Sequence, residues 1–164
     1  ESDRERRDEI KSYINEAIAE VKRISYHVMP QSIVDFGLEA ALKGLCDTIK
    51  KFSTLTIDFR YIREFEHKLD FEISIAIFRI AQEGLNNIVK HAGATHVNLH
   101  VLDKEDEVYF ILEDNGKGFN EHELINPGSG LRNIRERAML LNGSVEIHSL
   151  PGKGTSIEIH IPIT

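Results

Sequence analysis

Residues 108–118 read VYFILEDNGKG and join a strand pattern to a loop pattern. Large apolar side chains recur at every second position before Asp114, which is the period of a β-strand with one buried face. Two such sets occur along the chain: Val97, Leu99 and Val101, then Val108, Phe110 and Leu112. The acidic stretch 103–107 between them predicts the turn of an antiparallel hairpin. Residues 114–130 are glycine-rich and lack a period, which predicts a long loop of the kind that carries function.

The sequence on both sides of this hairpin predicts a two-layer fold. Helical spacing of apolar residues predicts helices over residues 37–52, 70–91 and 131–141, the second with Asp70 as N-cap and the third closed by Gly143. Alternation predicts a strand over residues 55–61 and a final hairpin over residues 145–161. The expected fold class is α/β (α+β). It is a two-layer sandwich with a mixed, largely antiparallel sheet and helices on one face, preceded by one long N-terminal helix.

Residues 1–29 carry a heptad pattern. Apolar residues step by four, three, four, three and four: Ile10, Ile14, Ala17, Val21, Ile24 and Val28. This stripe, with Pro30 as its stop, predicts a helix whose narrow apolar seam packs in a coiled coil or helix bundle. We therefore expect two parts. Residues 1–30 form a helix that packs against partner helices, and residues 31–164 form a domain with its own core. The alternative is a helix that lies on its own domain.

Composition excludes several classes of protein. The 164 residues are 41% hydrophobic and 29% charged, an ordinary globular balance. A net charge of -7 argues against a nucleic acid or an anionic membrane surface as the main partner, because either needs a basic face. The single cysteine, Cys46, rules out an internal disulfide, and no apolar run is long enough to cross a membrane, so we expect these residues to be cytoplasmic. Since the chain opens on Glu1 rather than methionine, a longer parent with a membrane-anchored portion stays open.

A polar stripe lies beside the apolar one on the predicted helix 70–91. Glu83, Asn87 and Lys90 are spaced i, i+4 and i+7, so their side chains face the same side. Asn offers a hard oxygen for Mg²⁺, which takes its other ligands from water and substrate phosphates. Lys offsets phosphate charge, and Glu can orient or deprotonate a water or hydroxyl. The alternative is a solvated polar face.

The glycine-rich loop supplies the other half of a candidate site. Asp114 stands at a strand end with Gly116 and Gly118 beside it, which leaves room for a flat base. An ionised carboxylate accepts hydrogen bonds only, so Asp114 would select an amino group such as that of adenine. Residues 128–130, Gly-Ser-Gly, run into a predicted helix whose free N–H groups form a phosphate cradle. The alternative at each glycine is plain turn chemistry.

These segments, in this order, resemble four sequence boxes of a known superfamily. Glu83 and Asn87 on a helix, residues 114–118 after a strand, Gly128-Ser129-Gly130-Leu131, and Gly152-Lys153-Gly154-Thr155 resemble the N, G1, G2 and final G boxes of the ATPase superfamily of gyrase, heat-shock chaperone, histidine kinase and MutL. Gln82-Glu83-Gly84-Leu85-Asn86-Asn87 followed by Lys90-His91-Ala92 is similar to the histidine-kinase subfamily that partners helix-turn-helix response regulators. Pro30 with Gly37-Leu38 and Ala41-Leu42 is similar to it as well. The resemblance covers residues 20–164, approximately.

The resemblance implies a site for ATP and Mg²⁺. Its ATP-binding residues come from the helix, the loop and the final hairpin: Asn87, Lys90, His91, Asp114, Gly116, Gly118, Gly128, Gly130, Leu131 and Thr155. Asn87 would hold the magnesium ion and Asp114 the adenine amine. Glu83 matches the position that activates water in the ATPase members and is the expected catalytic residue.

The remaining implied residues have narrower roles. Gly116 and Gly118 shape the base site, and Lys90 and His91 reach the phosphates. Gly128, Gly130 and Leu131 close a mobile lid over residues 114–130. Thr155 lies on the sheet behind the adenine. The alternative is that Thr155 is an ordinary strand residue.

The implied function is that of the ATP-binding catalytic domain of a two-component sensor histidine kinase, with residues 1–30 as the last helix of its dimerisation region. Such a domain transfers the γ-phosphoryl group of ATP to a histidine of the homodimer's helix bundle, and the group then passes to a response regulator. That histidine is expected on a helix before residue 1, because His27 lies near a helix end and His122 in the lid. The fragment alone is therefore not expected to phosphorylate itself. Two alternatives stay open, an anti-sigma-factor-type serine kinase and a non-catalytic nucleotide-sensing or dimerisation module.

Overall fold

The computed structural model of the chain describes Tyr13 and residues 31–65, 69–120 and 129–163. The chain divides into two compact units, Glu1–Gln31 and Ser32–Thr164. The predicted heptad helix over residues 1–29 lies outside the described residues, apart from Tyr13, which is helical. Among the helices that the structure describes, none has the length and apolarity that a membrane crossing requires.

A five-stranded mixed sheet forms the first layer of the second unit. Its strands are β1 (Thr56–Arg63), β2 (His96–Asp103), β3 (Glu107–Asp114), β4 (Ser144–Leu150) and β5 (Gly154–Pro162). They lie in the order β1-β2-β3-β5-β4. β1 pairs with β2 in parallel, and every other pair is antiparallel. Both predicted hairpins are thereby confirmed, and the first strand is two residues longer at its end than the pattern predicted.

Three helices form the second layer on one face of the sheet. They are α1 (Gln31–Phe52), α2 (Phe71–Asn87) and α3 (Ser129–Met139). Their buried side chains and those of alternate strand residues make one apolar cluster, to which the sheet contributes residues such as Val97, Phe110 and Ile159. The other strand residues, which point to the opposite face, are exposed or half-buried. The predicted two-layer sandwich is confirmed, and its core lies between the sheet and the helices.

Helix α1 begins six residues before the predicted start and contains a break. Gly37 has φ 82° and ψ 174°, so two helical segments meet there at a kink. A positive φ is the conformation that glycine adopts without steric cost. The helix after the break buries Leu38, Ala41 and Leu42, which matches the predicted apolar face.

Helix α2 differs from the continuous helix predicted over residues 70–91. It is α-helical to Asn87, and the next five residues, Ile88–Ala92, form a π-helical turn that ends at Gly93 with φ 61°. Asp70 occupies the N-cap position as predicted, and its side chain makes no capping hydrogen bond. Its main-chain carbonyl accepts the Ser74 N–H instead. A π-helical turn has no signature in an apolar period, since it is a local change of hydrogen bonding.

The end of α3 was assigned to the wrong residue by the sequence. Asn142, and not Gly143, has the left-handed conformation, with φ 56°. The Gly143 N–H donates to Ala138 O and the Asn142 N–H donates to Met139 O, which together make a Schellman motif. Gly143 is required for a different reason, because a Cβ there would lie 2.6 Å from His160 O.

A buried carboxylate ties the parallel strand pair together at its far end. Asp103 is 0% exposed and accepts hydrogen bonds from Tyr61 Oη at 3.0 Å and from Arg63 Nε at 3.3 Å. Both donors lie on β1, whereas Asp103 ends β2. Since a buried charge needs partners, this network holds the edge strand β1 against the sheet.

Candidate functional site

Glu83 and Asn87 lie half-buried on the last two turns of α2, against the start of α3. A Cβ added at Gly130 would lie 2.6 Å from Glu83 Oε1, 2.7 Å from Asn87 Nδ2 and 3.0 Å from Asn87 Oδ1. Gly130 is the second residue of α3, so the backbone of that helix approaches both polar side chains where only a glycine fits. The predicted carboxylate and carboxamide therefore share one small space with a helix N-terminus.

Lys90 and His91 lie in the π-helical turn and are exposed. The i+7 spacing that would align Lys90 with Glu83 and Asn87 assumes regular α-helical geometry, which stops at Asn87. Because a π turn holds more residues per turn than an α turn, Lys90 is rotated off the Glu83–Asn87 stripe. Both basic residues nevertheless lie within one turn of Asn87, in the turn whose Ala92 O accepts a hydrogen bond from the loop 114–118.

Asp114 ends β3, and its side chain turns back onto the loop that follows. Its Oδ1 accepts the Gly116 N–H at 2.7 Å, while the other oxygen keeps its acceptor capacity for a ligand. Partial burial raises the pKa of Asp114 above the usual value of 3.8, and the Gly116 N–H opposes that shift in pKa by stabilising the ionised form. An acceptor held at a half-buried strand end is well suited to bind an amine.

The loop after Asp114 is attached to the π-helical turn, which brings Asp114 close to the end of α2. The Lys117 N–H donates to Ala92 O at 2.8 Å, and a Cβ at Gly116 would lie 2.5 Å from the same carbonyl. Ala92 is five residues from Asn87, so one short turn links the predicted magnesium ligand to the predicted base site. The left-handed Gly93 ends that turn, which leaves Ala92 O directed at the loop.

Two further glycines allow the loop to pass under the final hairpin. Gly118 and Gly154 have φ values of 59° and 83°. A Cβ at Gly118 would collide with Leu150 O, and one at Gly154 would collide with Asp114 O. These contacts explain why both the loop and the β4–β5 turn need glycine at these positions.

Thr155 is the register partner of Asp114 across β3 and β5, so the two side chains lie next to each other on the helix-facing side of the sheet. The Thr155 hydroxyl lies 3.0 Å from Ser149 Oγ on β4. Thr155 thus links the strand partner of Asp114 to a hydroxyl of the neighbouring strand β4.

Ser149 and Asn115 hold the loop and strands around the candidate site, and sequence reasoning did not single them out. Ser149 is 2% exposed and contacts the loop as well as the hairpin. Asn115 Oδ1 accepts the N–H groups of Thr95 and His96, both at 2.9 Å, and its Nδ2 donates to Thr95 Oγ1 at 3.0 Å. A signal for Ser149 was available, because a hydroxyl occupies a position where the alternation of β4 requires an apolar side chain. For Asn115 the turn-forming composition of the loop concealed the contact.

The other predicted residues divide into described and undescribed ones. Leu131 is half-buried and packs against the core. Gly128 lies outside the described residues, as does the middle of the predicted lid, residues 121–128. The structure therefore brings together Glu83, Asn87 and Gly130 on one side and Asp114, Gly116, Gly118 and Thr155 on the other, joined by the π-helical turn.

A shallow groove of about 510 Å³ lies where β3 and β4 end and β5 begins. Its lining side chains include His96, Asn98, Glu113 and His148. Strand alternation directs these side chains away from the helices, whereas Asp114 and Thr155 point toward them. The groove also borders Asp114, Ser149 and Thr155, so it adjoins the candidate base site at these strand ends.

The sequence profile described as "Histidine kinase-, DNA gyrase B-, and HSP90-like ATPase" matches residues 72–164, the part of the chain that contains all of these side chains. The chain belongs to this ATPase family. The matched residues include the polar helix stripe, the strand-end carboxylate and the glycine-rich loops of the candidate site.

Relatives of this ATPase-family chain include bacterial sensor proteins. A protein of Brevibacillus brevis named signal transduction histidine-protein kinase/phosphatase DegS is 35% identical over 156 residues, which is 95% of this chain and 40% of that protein. The sensor protein VraS of Staphylococcus aureus (strain COL) is 30% identical over 155 residues, 94% of this chain and 44% of that protein. The chain therefore spans less than half the length of these relatives.

A solved structure shares the fold of this family member. The histidine kinase domain from the Erythrobacter litoralis EL346 blue-light activated histidine kinase aligns with a TM-score of 0.59 at 20% identity, over 76% of this chain and 60% of that one. At this identity the match establishes the fold alone.

Proposed function

We propose that this chain is the ATP-binding catalytic domain of a two-component sensor histidine kinase, which binds Mg²⁺ and ATP between the end of α2, the loop 114–120 and the start of α3. The observation that carries the proposal is the approach of Gly130 to Glu83 and Asn87, at 2.6 Å and 2.7 Å from an added Cβ. It places a helix N-terminus, which favours phosphate, beside a carboxylate and a carboxamide. Relatives named as a histidine kinase/phosphatase and as a sensor protein support the same assignment.

The donor atoms fit a magnesium ion. Asn87 Oδ1 and Glu83 Oε1 both border the same glycine, so hard oxygen donors lie together where phosphates would meet the N-terminus of α3. When bound, the ion would neutralise phosphate charge. In the proposed site Asn87 would hold it, and Glu83 would orient the group that receives the phosphoryl.

The remaining residues would bind and position the nucleotide. Asp114 would accept the adenine amine through its free acceptor capacity, and Gly116 and Gly118 would let the base lie against the loop backbone. Lys90 and His91, both exposed, would offset phosphate charge from the π-helical turn. Gly128, Gly130 and Leu131 would belong to the segment that closes over the nucleotide. Rate enhancement would come from positioning and charge neutralisation, without a covalent intermediate on this domain.

The parent protein would complete the reaction. We propose that residues 1–30 form the last helix of a dimerisation region, that the accepting histidine lies outside residues 1–164, and that the phosphoryl group passes on to a response regulator. The domain would act in the cytoplasm, and a membrane-anchored parent is compatible with it. The names of the relatives favour this over the serine-kinase alternative. A non-catalytic nucleotide-sensing module would show ATP binding without any phosphoryl transfer to an added acceptor helix.

Calorimetric titration with ATP, with and without Mg²⁺, tests the proposal. We expect Asp114→Ala to abolish detectable ATP binding whether or not the metal is present, because the base loses its polar anchor. Asn87→Ala should chiefly remove the increase in affinity that Mg²⁺ gives. The matched control is Asp58→Ala, on the outer face of the sheet, which should bind as wild type. Wild-type protein that binds no ATP, or Asp114→Ala protein that binds it normally, would reject the proposed site.

A further inference from the structure

Ser149 is a buried hydroxyl with a defined set of hydrogen-bond partners. It is 2% exposed and lies on the helix-facing side of β4. The Phe119 N–H donates to Ser149 Oγ at 2.9 Å, and Ser149 Oγ donates to Gly154 O at 3.1 Å. Its third partner is Thr155 Oγ1 at 3.0 Å, where either hydroxyl could be the donor.

The two main-chain partners decide the direction of the third hydrogen bond. A serine hydroxyl carries one proton and two lone pairs. The Phe119 N–H can only donate and Gly154 O can only accept, so the Ser149 hydroxyl donates its single hydrogen bond to Gly154 O. The contact with Thr155 is then satisfied only if the Thr155 hydroxyl donates to Ser149. Main-chain groups cannot exchange these roles, so the backbone fixes the orientation of the Thr155 proton.

This orientation sets what Thr155 offers to a ligand. Thr155 and Asp114 are register partners, so their side chains are neighbours on the same face of the sheet. With its proton directed at Ser149, the Thr155 hydroxyl presents lone pairs beside the Asp114 carboxylate. Both neighbours then accept hydrogen bonds and neither donates, which matches the two N–H groups of an exocyclic amine and repels a carbonyl oxygen.

We propose that Ser149 is a specificity-determining positioning residue, which makes Thr155 an obligatory acceptor and thereby selects a purine with a 6-amino group over one with a 6-carbonyl group. The proposal rests on the proposed function, since it requires the base to lie at Asp114. Ser149 itself is 2% exposed and acts through Thr155.

Titration with ATP and with inosine triphosphate, which carries a carbonyl in place of the amine, tests the proposal. The proteins are the wild type, Ser149→Ala, Thr155→Val and the double variant, each checked by thermal melting. We expect wild type to prefer ATP by about 10- to 100-fold, as one or two mismatched buried hydrogen bonds require. Ser149→Ala frees the Thr155 hydroxyl to donate to the carbonyl, so the preference should narrow by about 5-fold, mainly through tighter binding of the inosine nucleotide.

The variants separate a positioning role from a structural one. A general defect in Ser149→Ala would weaken both nucleotides equally and leave their ratio unchanged, which would overturn the proposal. In the Thr155→Val background, Ser149→Ala should not change the ratio further, and a further change would also overturn it. Thr155→Val alone should narrow the preference, which provides a test even if Ser149→Ala does not fold.

The outcome also distinguishes this inference from the proposed function. Wild-type protein that binds ATP and the inosine nucleotide equally would reject the role of Ser149 and leave ATP binding intact. Wild-type protein that binds neither nucleotide would reject both.

Discussion

Replacement of Gly130 by alanine should separate nucleotide binding from folding. An added Cβ would lie 2.6 Å from Glu83 Oε1 and 2.7 Å from Asn87 Nδ2, whereas ordinary contact begins at 3.4 Å, so each side chain must recede by 0.7 to 0.8 Å. Both contacted atoms are side-chain ends, which can rotate away. Gly130 has no positive φ, so the alanine backbone is unstrained.

The magnitudes favour a functional defect over a structural one. The helix gains up to about 1 kcal/mol when alanine replaces glycine, and overpacking costs about 1–3 kcal/mol. We expect the free energy of unfolding to change by no more than about 2 kcal/mol as these effects offset each other. Magnesium demands near-ideal ligand geometry, so displacement of Asn87 should weaken binding of Mg²⁺ with ATP by at least about 10-fold, or about 1.4 kcal/mol.

The assay is calorimetric titration with ATP and Mg²⁺ alongside urea unfolding. The matched control is Gly44→Ala in α1, where the glycine is exposed and a Cβ would meet nothing within 4 Å. That control should gain about 0.5–1 kcal/mol of stability and bind nucleotide as wild type does. If Gly130→Ala binds Mg²⁺ and ATP with wild-type affinity, the inference that Gly130, Glu83 and Asn87 form one site is refuted.

Three further predictions concern stability. Burial raises the pKa of Asp114, so the ionised carboxylate destabilises the nucleotide-free fold. Asp114→Asn should therefore melt at a higher temperature than wild type at neutral pH. This difference in melting temperature should vanish as the pH falls and the wild-type carboxyl is protonated. A gap that is constant with pH would contradict this. Burial chiefly raises the pKa of Tyr61 from 10.0 to about 12, so the stability that the neutral Tyr61 hydroxyl contributes is complete below pH 10 and is lost as the pH rises toward 12. In urea unfolding over that range, the free energy of unfolding should therefore fall more steeply with pH for wild type than for Tyr61→Phe. Parallel pH profiles of the two proteins would exclude the effect. A Cβ at Gly84 would collide with the Leu112 side chain, so Gly84→Ala should lower the free energy of unfolding in urea by about 1–2 kcal/mol. Adding Leu112→Val to that variant should restore part of the lost stability. A stabilised Gly84→Ala variant would show that the helix moves freely over the sheet.

Local patterns predicted most of the elements because they report burial one element at a time. Strand alternation in residues 97–112 predicted the first hairpin, and the apolar period predicted the helix that contains Asn87. The π-helical turn escaped prediction because Ile88 remains buried, as it would be in a regular α-helix. The left-handed Asn142 was missed because glycine is the commoner residue at that position and Gly143 stood next to it.

The sequence by itself determined the type and order of the helices and strands, and it placed a carboxylate, a carboxamide and glycine-rich loops in an order that resembles an ATP-binding family. These properties depend on residue spacing and side-chain chemistry, both of which can be read directly from the sequence. Only the tertiary structure decided that Gly130 lies against Glu83 and Asn87, that Ala92 O holds the loop of Asp114, and that Ser149 Oγ lies 3.0 Å from Thr155 Oγ1. These contacts join residues that are far apart in sequence, and their geometry is set by how the helices pack on the sheet.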